Sequence, residues 1–194
     1  RYLNPKEKAQ DPEWLQRQEE RRAALAEERR NREILSTAPS EKTEPKNERY
    51  DYHLGSTVYL GANEGNDPAL REAVQELGTW IGTSGNALVY GGSRSGLMGA
   101  IADSVLRSGG EVTGVEPRCF IESEFQHDGL TELIVTEDMA ERKRKMIELG
   151  DAFIAFPGGT GTLEEISEIM SKVSLKQLDA PCILYNLNGF YQDL

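Results

Sequence analysis

Cysteine and histidine are scarce in this sequence of 194 residues, which contains two of each. Cys119 and Cys182 cannot build a disulfide framework, and this fits a protein of the reducing cytoplasm. Cys182 lies in the apolar run 181–185, which predicts a small buried hydrophobic side chain. Together with His53 and His127 the cysteines form no cluster with metal-ligand spacing, so we expect no metal site.

Long apolar segments and an excess of positive charge are also lacking. No stretch is long enough to span a membrane and no secretory signal is present, so we expect no membrane partner. Of 22 Lys/Arg and 33 Asp/Glu, residues 1–50 carry 12 and 11, which leaves 10 against 22 in residues 51–194. Nucleic-acid affinity comes mostly from cations placed on phosphates. We therefore expect a small molecule bound at a local site, and no nucleic acid.

Residues 1–50 differ from the rest of the chain. Asp11-Pro12 suits a helix start, and residues 13–35 are mostly strong helix formers with few apolar side chains. This pattern predicts a solvated polar helix, and the balanced charge disfavours the alternative of a basic nucleic-acid arm. Residues 36–52 have the composition of a linker. We expect residues 1–50 to form a polar helical extension and linker, and residues 51–194 to form the folded domain.

From Gly55 onward, apolar runs alternate with amphipathic segments. Continuous apolar strands are typical of a parallel sheet covered on both faces. The order predicts an α/β fold, a Rossmann-like doubly wound parallel sheet with helices on both faces. The predicted strands are Thr57–Leu60, Ala87–Tyr90, Glu111–Val115, Ala152–Phe156 and Cys182–Tyr185, and the predicted helices are Pro68–Thr83, Gly96–Ser108, Met139–Leu149 and Thr162–Leu175.

The segment 157–165, Pro-Gly-Gly-Thr-Gly-Thr-Leu-Glu-Glu, connects a strand to a helix. Glycines let a ligand approach the backbone closely, and the free N–H groups of a helix N-terminus bind anions. The segment therefore predicts a phosphate cradle, with Thr162 capping the helix. On the helix, Glu164 projects away from the apolar stripe, whereas Glu165 lies at its edge. Glu165 is the better catalytic candidate, and spacing leaves open whether burial raises its pKa or an arginine lowers it.

A second glycine turn, 90–99, also connects a strand to a helix. Leu97 replaces the lysine of a Walker A loop, and Ser93 replaces the second glycine of a dinucleotide-binding motif. Taken alone, the turn predicts tight packing as readily as ligand binding. Two such turns at one sheet edge favour a ligand site.

The helix that begins at Met139 places two cations on its inward face. Helical projection puts Arg142 and Lys143 beside Met146, whereas Arg144 and Lys145 project toward solvent. Inward cations need an anionic partner. The partner can be a structural acid, a bound phosphate or a catalytic carboxylate.

Segments 90–99, 139–143 and 157–165 resemble the three signatures of the "Lonely Guy" family. Its members are phosphoribohydrolases that release a free cytokinin base from its riboside 5′-monophosphate, and they are often mislabelled lysine decarboxylases. The similarity spans about residues 56–194 and excludes residues 1–50. It implies a homodimer or an assembly of dimers, a purine nucleoside 5′-monophosphate substrate (cytokinin-type or AMP) and no cofactor. Carried over by position, Arg142 and Glu165 are catalytic, and the substrate-binding residues are Gly91, Gly92, Gly96, Glu124, Lys143, Gly158, Gly159, Thr160, Gly161, Thr162 and Ser171.

Three features depart from the family pattern. The first strand leads into Leu60-Gly61-Ala62-Asn63 where the family has a Gly-Ser pair, and Thr160 stands where many members have tyrosine. Members continue with further helix after Tyr185, so we expect a C-terminal truncation at Leu194. Base preference is left open by these changes. The alternative function is a non-catalytic nucleotide-binding or carrier protein on the same scaffold.

Overall fold

The computed structural model describes Gln16 and residues 54–121 and 126–194. Apart from Gln16, the predicted helix at residues 13–35 lies outside the described residues, and so do the linker at residues 36–52, His53 and Glu124. Among those described, no helix combines the length and the apolar character needed to cross a membrane.

Six strands form one parallel sheet, which confirms the predicted Rossmann-like α/β fold. Their spatial order is β4-β3-β2-β1-β5-β6. The strands are β1 (Gly55–Tyr59), β2 (Ala87–Tyr90), β3 (Glu111–Pro117), β4 (Glu132–Thr136), β5 (Ala152–Ala155) and β6 (Cys182–Leu184), and the helices are α1 (Pro68–Thr83), α2 (Gly96–Arg107), α3 (Arg118–Ile121), α4 (Met139–Leu149) and α5 (Thr160–Ser174), followed by a 3₁₀ turn at Leu187–Gly189.

Each face of the sheet has its own apolar core. Because side chains alternate between the two faces of a strand, Leu88 and Tyr90 lie in the core under α1 and α2. Tyr59 and Val89 lie in the core on the other face, under α4 and α5. The strand order reverses between the neighbours β1 and β5: strands β2 to β4 follow on one side of β1, and β5 and β6 lie on its other side. Ligands of such sheets bind at this reversal, beyond the carboxyl ends of the strands.

Strand β4 was not predicted. It pairs only with β3, at the edge of the sheet, and buries every second side chain: Glu132, Ile134 and Thr136. Two of these are polar, so the segment lacks the continuous apolar run that identified the central strands. Strand β3 also runs two residues beyond Val115, which brings Glu116 into the sheet.

Candidate active site

Helix α4 holds Arg142 at the carboxyl edge of the sheet. Asp138 caps the helix, because its Oδ1 accepts a hydrogen bond from the Glu141 N–H at 2.8 Å. Glu141 Oε2 in turn accepts from the Glu137 N–H at 2.7 Å, one residue before the cap. The two acidic side chains, Asp138 and Glu141, thus accept hydrogen bonds from backbone N–H groups on either side of the helix start and fix the first turn of α4. Arg142, the fourth residue of α4, is buried on the inward face, as predicted.

Arg142 joins two helices and a strand. Its Nη1 donates to Glu165 Oε1 at 2.7 Å, and its Nε donates to the carbonyl oxygen of Val115 at 2.9 Å. The two charged side chains are only 9% and 10% exposed. A guanidinium is thus fixed by the end of β3 and presented to a carboxylate on α5. The inward cation therefore has Glu165, the acid of the glycine segment 157–165, as its partner.

Gly91 makes room for this guanidinium. A Cβ atom on Gly91 would lie 2.2 Å from Arg142 Nη2 and 2.4 Å from Met98 Cε. Such distances are far inside van der Waals contact. The glycine that follows β2 is therefore required for the position of Arg142.

We expect Gly91→Ala to lower the free energy of unfolding by about 1–3 kcal/mol, because the added methyl group overpacks a buried site. Urea denaturation of the variant measures this loss. Gly161→Ala is the matched control, since no atom lies within 4 Å of a Cβ added there. Equal stabilities for the two variants would contradict the close approach of Arg142 to Gly91.

Two opposed effects act on the pKa of the Glu165 carboxyl. Burial raises its pKa above the usual value, and the guanidinium of Arg142 partly opposes this effect. The net direction is upward, which answers the question that spacing left open. Tyr59, 3% exposed, interacts electrostatically with both residues of the pair, and its pKa is raised mainly by burial and further by the charge of Glu165. Tyr59 was not predicted, because an aromatic residue inside an apolar strand is indistinguishable from core.

The turn between β5 and α5 forms an open helix N-terminus. Gly159 occupies the N-cap position, without a side-chain capping bond, and the first helical hydrogen bond runs from Leu163 N–H to the Gly159 carbonyl. The N–H groups of residues 160–162 precede that bond, so the helix leaves them without an internal partner. No atom lies within 4 Å of a Cβ added at Gly159 or Gly161. This is the backbone arrangement that an anion requires.

The capping role predicted for Thr162 is wrong. Helix α5 begins at Thr160, two residues earlier than predicted, so Thr162 is its third residue. The Thr162 side chain is buried against Gly158, where an added Cβ would lie 2.4 Å from Thr162 Oγ1. The hydroxyl therefore packs beneath the turn instead of capping the helix, and Gly158 is needed for that packing.

Lys143 pairs with acids of α5. Its Nζ contacts Glu164 and lies 3.3 Å from Glu168 Oε2, and its side chain is 22% exposed. Hydrogen bonding to Glu164 is the main reason that the pKa of Lys143 is raised. Structural acids are therefore the partners of Lys143 in this structure. Glu164 and Arg144 are exposed, as predicted.

Gly92, Gly96 and Ser171 are the remaining predicted binding residues that the structure describes. Gly92 and Gly96 have φ of +89° and +56°, a left-handed conformation that glycine adopts readily. A Cβ on Gly96 would lie 2.1 Å from the carbonyl oxygen of Ala62, so this glycine joins the turn to the loop after β1. Ser171 is exposed and shares the outer face of α5 with Glu164, away from Arg142.

Comparisons with known proteins agree with this arrangement. The family model described as "possible lysine decarboxylase" matches residues 98–194, half of the chain. A cytokinin riboside 5′-monophosphate phosphoribohydrolase of Rhodococcoides fascians is 47% identical over 139 residues, which cover 71% of this chain and 70% of that protein. The chain belongs to the Lonely Guy family.

Plant members of the Lonely Guy family are also similar. A probable cytokinin riboside 5′-monophosphate phosphoribohydrolase of Oryza sativa subsp. japonica is 41% identical over 71% of this chain. A cytokinin riboside 5′-monophosphate phosphoribohydrolase of Arabidopsis thaliana is 39% identical over the same share. The matched segments span 61% and 64% of these two plant proteins, less than two thirds of their length.

Solved structures share the fold. The molybdenum cofactor carrier protein of Chlamydomonas reinhardtii has a TM-score of 0.55 and 22% identity, over 69% of this chain and 76% of that one. The molybdenum cofactor binding protein of Rippkaea orientalis has a TM-score of 0.54 and 24% identity, over 62% and 72%. At such identities the likeness concerns the fold alone.

Proposed function

We propose that this protein hydrolyses the N-glycosidic bond of purine nucleoside 5′-monophosphates, of cytokinin type or AMP, to free base and ribose 5-phosphate. The observation that carries the proposal is the buried Arg142–Glu165 pair, close to the open N-terminus of α5. The activity named for the relatives supports it. The matched segments span 61% to 70% of those proteins.

The geometry suits hydrolysis of this bond. The 5′-phosphate binds the N–H groups of the Gly158–Thr162 turn and thereby positions the ribose. As the bond from C1′ to the base nitrogen breaks, positive charge develops on the ribose, and the carboxylate of Glu165 stabilises it or takes a proton from the attacking water. The water oxygen bonds to C1′ and gives up one proton, to Glu165 or to solvent, while the leaving base nitrogen takes up one proton from solvent, so that one water is consumed for each bond broken. Arg142 orients Glu165 or contacts the substrate.

The residues argue against a pyridoxal-dependent decarboxylase, the chemistry suggested by the description of the family model. A Schiff-base lysine must lose its proton readily, so its pKa is lowered by burial or by neighbouring cations. Lys143, the lysine nearest the pair in sequence, has a raised pKa because it bonds to Glu164 and Glu168. Its environment holds the proton in place.

We further propose that residues 51–194 are the catalytic domain, that it functions as a homodimer or an assembly of dimers, and that the protein is cytoplasmic. Lys143, Glu124 and Ser171 remain proposed substrate contacts. Ser171 is exposed on the outer face of α5, so its substrate contact is proposed for the site of the neighbouring protomer. Sedimentation of the full chain, with and without AMP, measures the assembly.

The direct test incubates the full chain with AMP and with isopentenyladenosine monophosphate, and quantifies free base and ribose 5-phosphate. The proposal expects both products in equal amounts. Tight binding of the nucleotide without either product would favour the alternative, a non-catalytic carrier.

Gly161→Ala separates fold from binding at the phosphate cradle. We expect this variant to be as stable as wild type or up to about 1 kcal/mol more stable, because alanine replaces glycine inside α5. We expect its KM for AMP to rise at least about tenfold, because a methyl group projects into the space that the phosphate needs. Steady-state kinetics and urea denaturation measure the two effects. An unchanged KM would place the phosphate elsewhere.

A further inference from the structure

Glu116 is a carboxyl group that the proposed mechanism does not use. It is the sixth residue of β3 and is 1% exposed. Its Oε2 atom is buried and has no hydrogen-bond partner. A buried carboxyl oxygen without a donor is unfavourable when it carries charge. Because such a group lowers the free energy of unfolding, its presence in a folded protein suggests a functional role.

Glu116 borders the same glycine turn as Arg142. A Cβ on Gly92 would lie 3.1 Å from Glu116 Cβ and 3.3 Å from its Oε2, just as a Cβ on Gly91 would meet Arg142. The guanidinium is also bonded, through Nε, to the carbonyl of the peptide that joins Val115 to Glu116. Two acids therefore act on Arg142: Glu165, which it contacts directly, and Glu116, which approaches the next glycine of the same turn.

The surroundings of Glu116 favour its neutral form. A second buried oxygen without a partner, Gln126 Oε1, belongs to a residue that bridges to Ser93 of the same turn. A proton on Glu116 removes the charge from a buried carboxyl whose Oε2 atom has no donor. The carboxyl of Glu165 already balances the charge of Arg142, so ionised Glu116 adds an excess negative charge to a buried site.

The charged and titratable groups near Glu116 come from helix α4, strand β2, helix α2 and the segment that follows the bridge at Gln126. Burial raises the pKa of Glu116 to about 7, and the charge of Arg142 on α4 opposes this effect. Tyr90 on β2 has a raised pKa, in part because of Glu116 and of Asp103 on α2. Asp103 pairs with His127, which follows the bridge at Gln126, and β4 places Val135 beside Glu116 in register. Because the folded state holds the proton, Glu116 is neutral below about pH 7 and ionises as the pH rises through that value.

We propose that Glu116 is a positioning residue. While the Glu116 carboxyl is neutral, the guanidinium of Arg142 stays hydrogen-bonded to Glu165. When Glu116 ionises, its negative charge attracts the guanidinium away from Glu165. The part of this inference that concerns turnover rests on the proposed function. The part that concerns the Arg142–Glu165 contact does not. The ionised form also adds a negative charge that acts on Arg142, so ionisation disfavours an anionic substrate as well as the Arg142–Glu165 pairing.

The activity test compares Glu116→Gln with wild type between pH 5.5 and 9, as kcat/KM for AMP. The ratio of the two profiles cancels the titration of the substrate phosphate. We expect the ratio of variant to wild type to rise about tenfold across neutrality, because only wild type gains the buried charge. Glu132→Gln is the matched control: it is another buried carboxyl of the sheet, at the amino end of β4. Its ratio should stay flat. A flat ratio for Glu116→Gln would overturn the proposal.

A second measurement needs no turnover. The Nε–Hε resonance of Arg142, assigned with Arg142→Lys, reports the bond to Val115 by NMR. We expect it to shift in wild type with a midpoint near pH 7 and to lose this shift in Glu116→Gln. An Arg142 signal that does not titrate in wild type would overturn the proposal even if Glu116→Gln fails to fold. A titrating signal without AMP hydrolysis would overturn the proposed function and leave the role of Glu116 intact.

Discussion

Glu165→Gln is expected to release free base from a purine nucleoside 5′-monophosphate about 10³-fold more slowly than wild type, because a positioned acid or base contributes a factor of this order. Glutamine keeps the shape of the side chain and can still accept a hydrogen bond from Arg142. It can neither take a proton from water nor stabilise positive charge on the ribose. The loss should therefore fall on kcat, with KM changed little. Initial rates of base release at saturating substrate measure it.

Glu164→Gln is the matched control for this prediction. Glu164 precedes Glu165 on the same helix, but its side chain is 57% exposed and its described contact is with Lys143. An exposed ion pair is weak, so we expect a change of no more than about fivefold. If Glu165→Gln stayed near the full rate, or if Glu164→Gln lost as much, the assigned role of Glu165 would be wrong.

Arg142→Ala is expected to lower both activity and stability. The substitution leaves the Glu165 carboxyl, whose side chain is 10% exposed, without its cation. Breaking a buried ion pair by removing one partner typically costs about 3–5 kcal/mol. The hydrogen bond to the Val115 carbonyl is lost as well. We expect a loss of about 3 kcal/mol in the free energy of unfolding, measured by urea denaturation at pH 7, and at least a 10²-fold lower kcat/KM.

Two further variants separate the causes of this loss. Arg144→Ala removes an exposed arginine from the same helix and should change stability by less than about 0.5 kcal/mol. Adding Glu165→Gln to Arg142→Ala removes the buried charge that was left without a partner, so part of the stability should return. Failure of the second substitution to restore any stability would mean that the ion pair is not the cause.

The fold was largely predictable, because the central strands carry continuous apolar runs. Strand β4 was missed for the opposite reason: at the edge of the sheet, burial on one face leaves Glu132 and Thr136 in a pattern that resembles a loop. The extent of β3 was also missed, and Glu116 was missed with it. A charged residue near the end of an apolar run is ordinarily the end of the strand. The pairing of Glu116 with Val135, and of Pro117 with Thr136, shows that the ladder continues.

The candidate site was predictable where one helix decides the geometry. Projection of α4 identified Arg142 as inward, and projection of α5 separated Glu165 from Glu164. The partners of these side chains depend on how two helices pack, which local sequence does not specify. For that reason Lys143, predicted to be inward like Arg142, has Glu164 and Glu168 as partners. The start of α5 at Thr160 follows from glycine as N-cap, a weaker signal than the hydroxyl of Thr162.

A double-mutant cycle tests most directly whether Arg142 and Glu165 act as one unit in glycosidic cleavage. The rate of base release from AMP is measured for wild type, Arg142→Ala, Glu165→Gln and the double variant. We predict that the double variant is no slower than the slower single variant, because once either residue is lost the unit no longer functions. Losses that multiply, as for two independent residues, would contradict this, and so would a wild-type protein that releases no base.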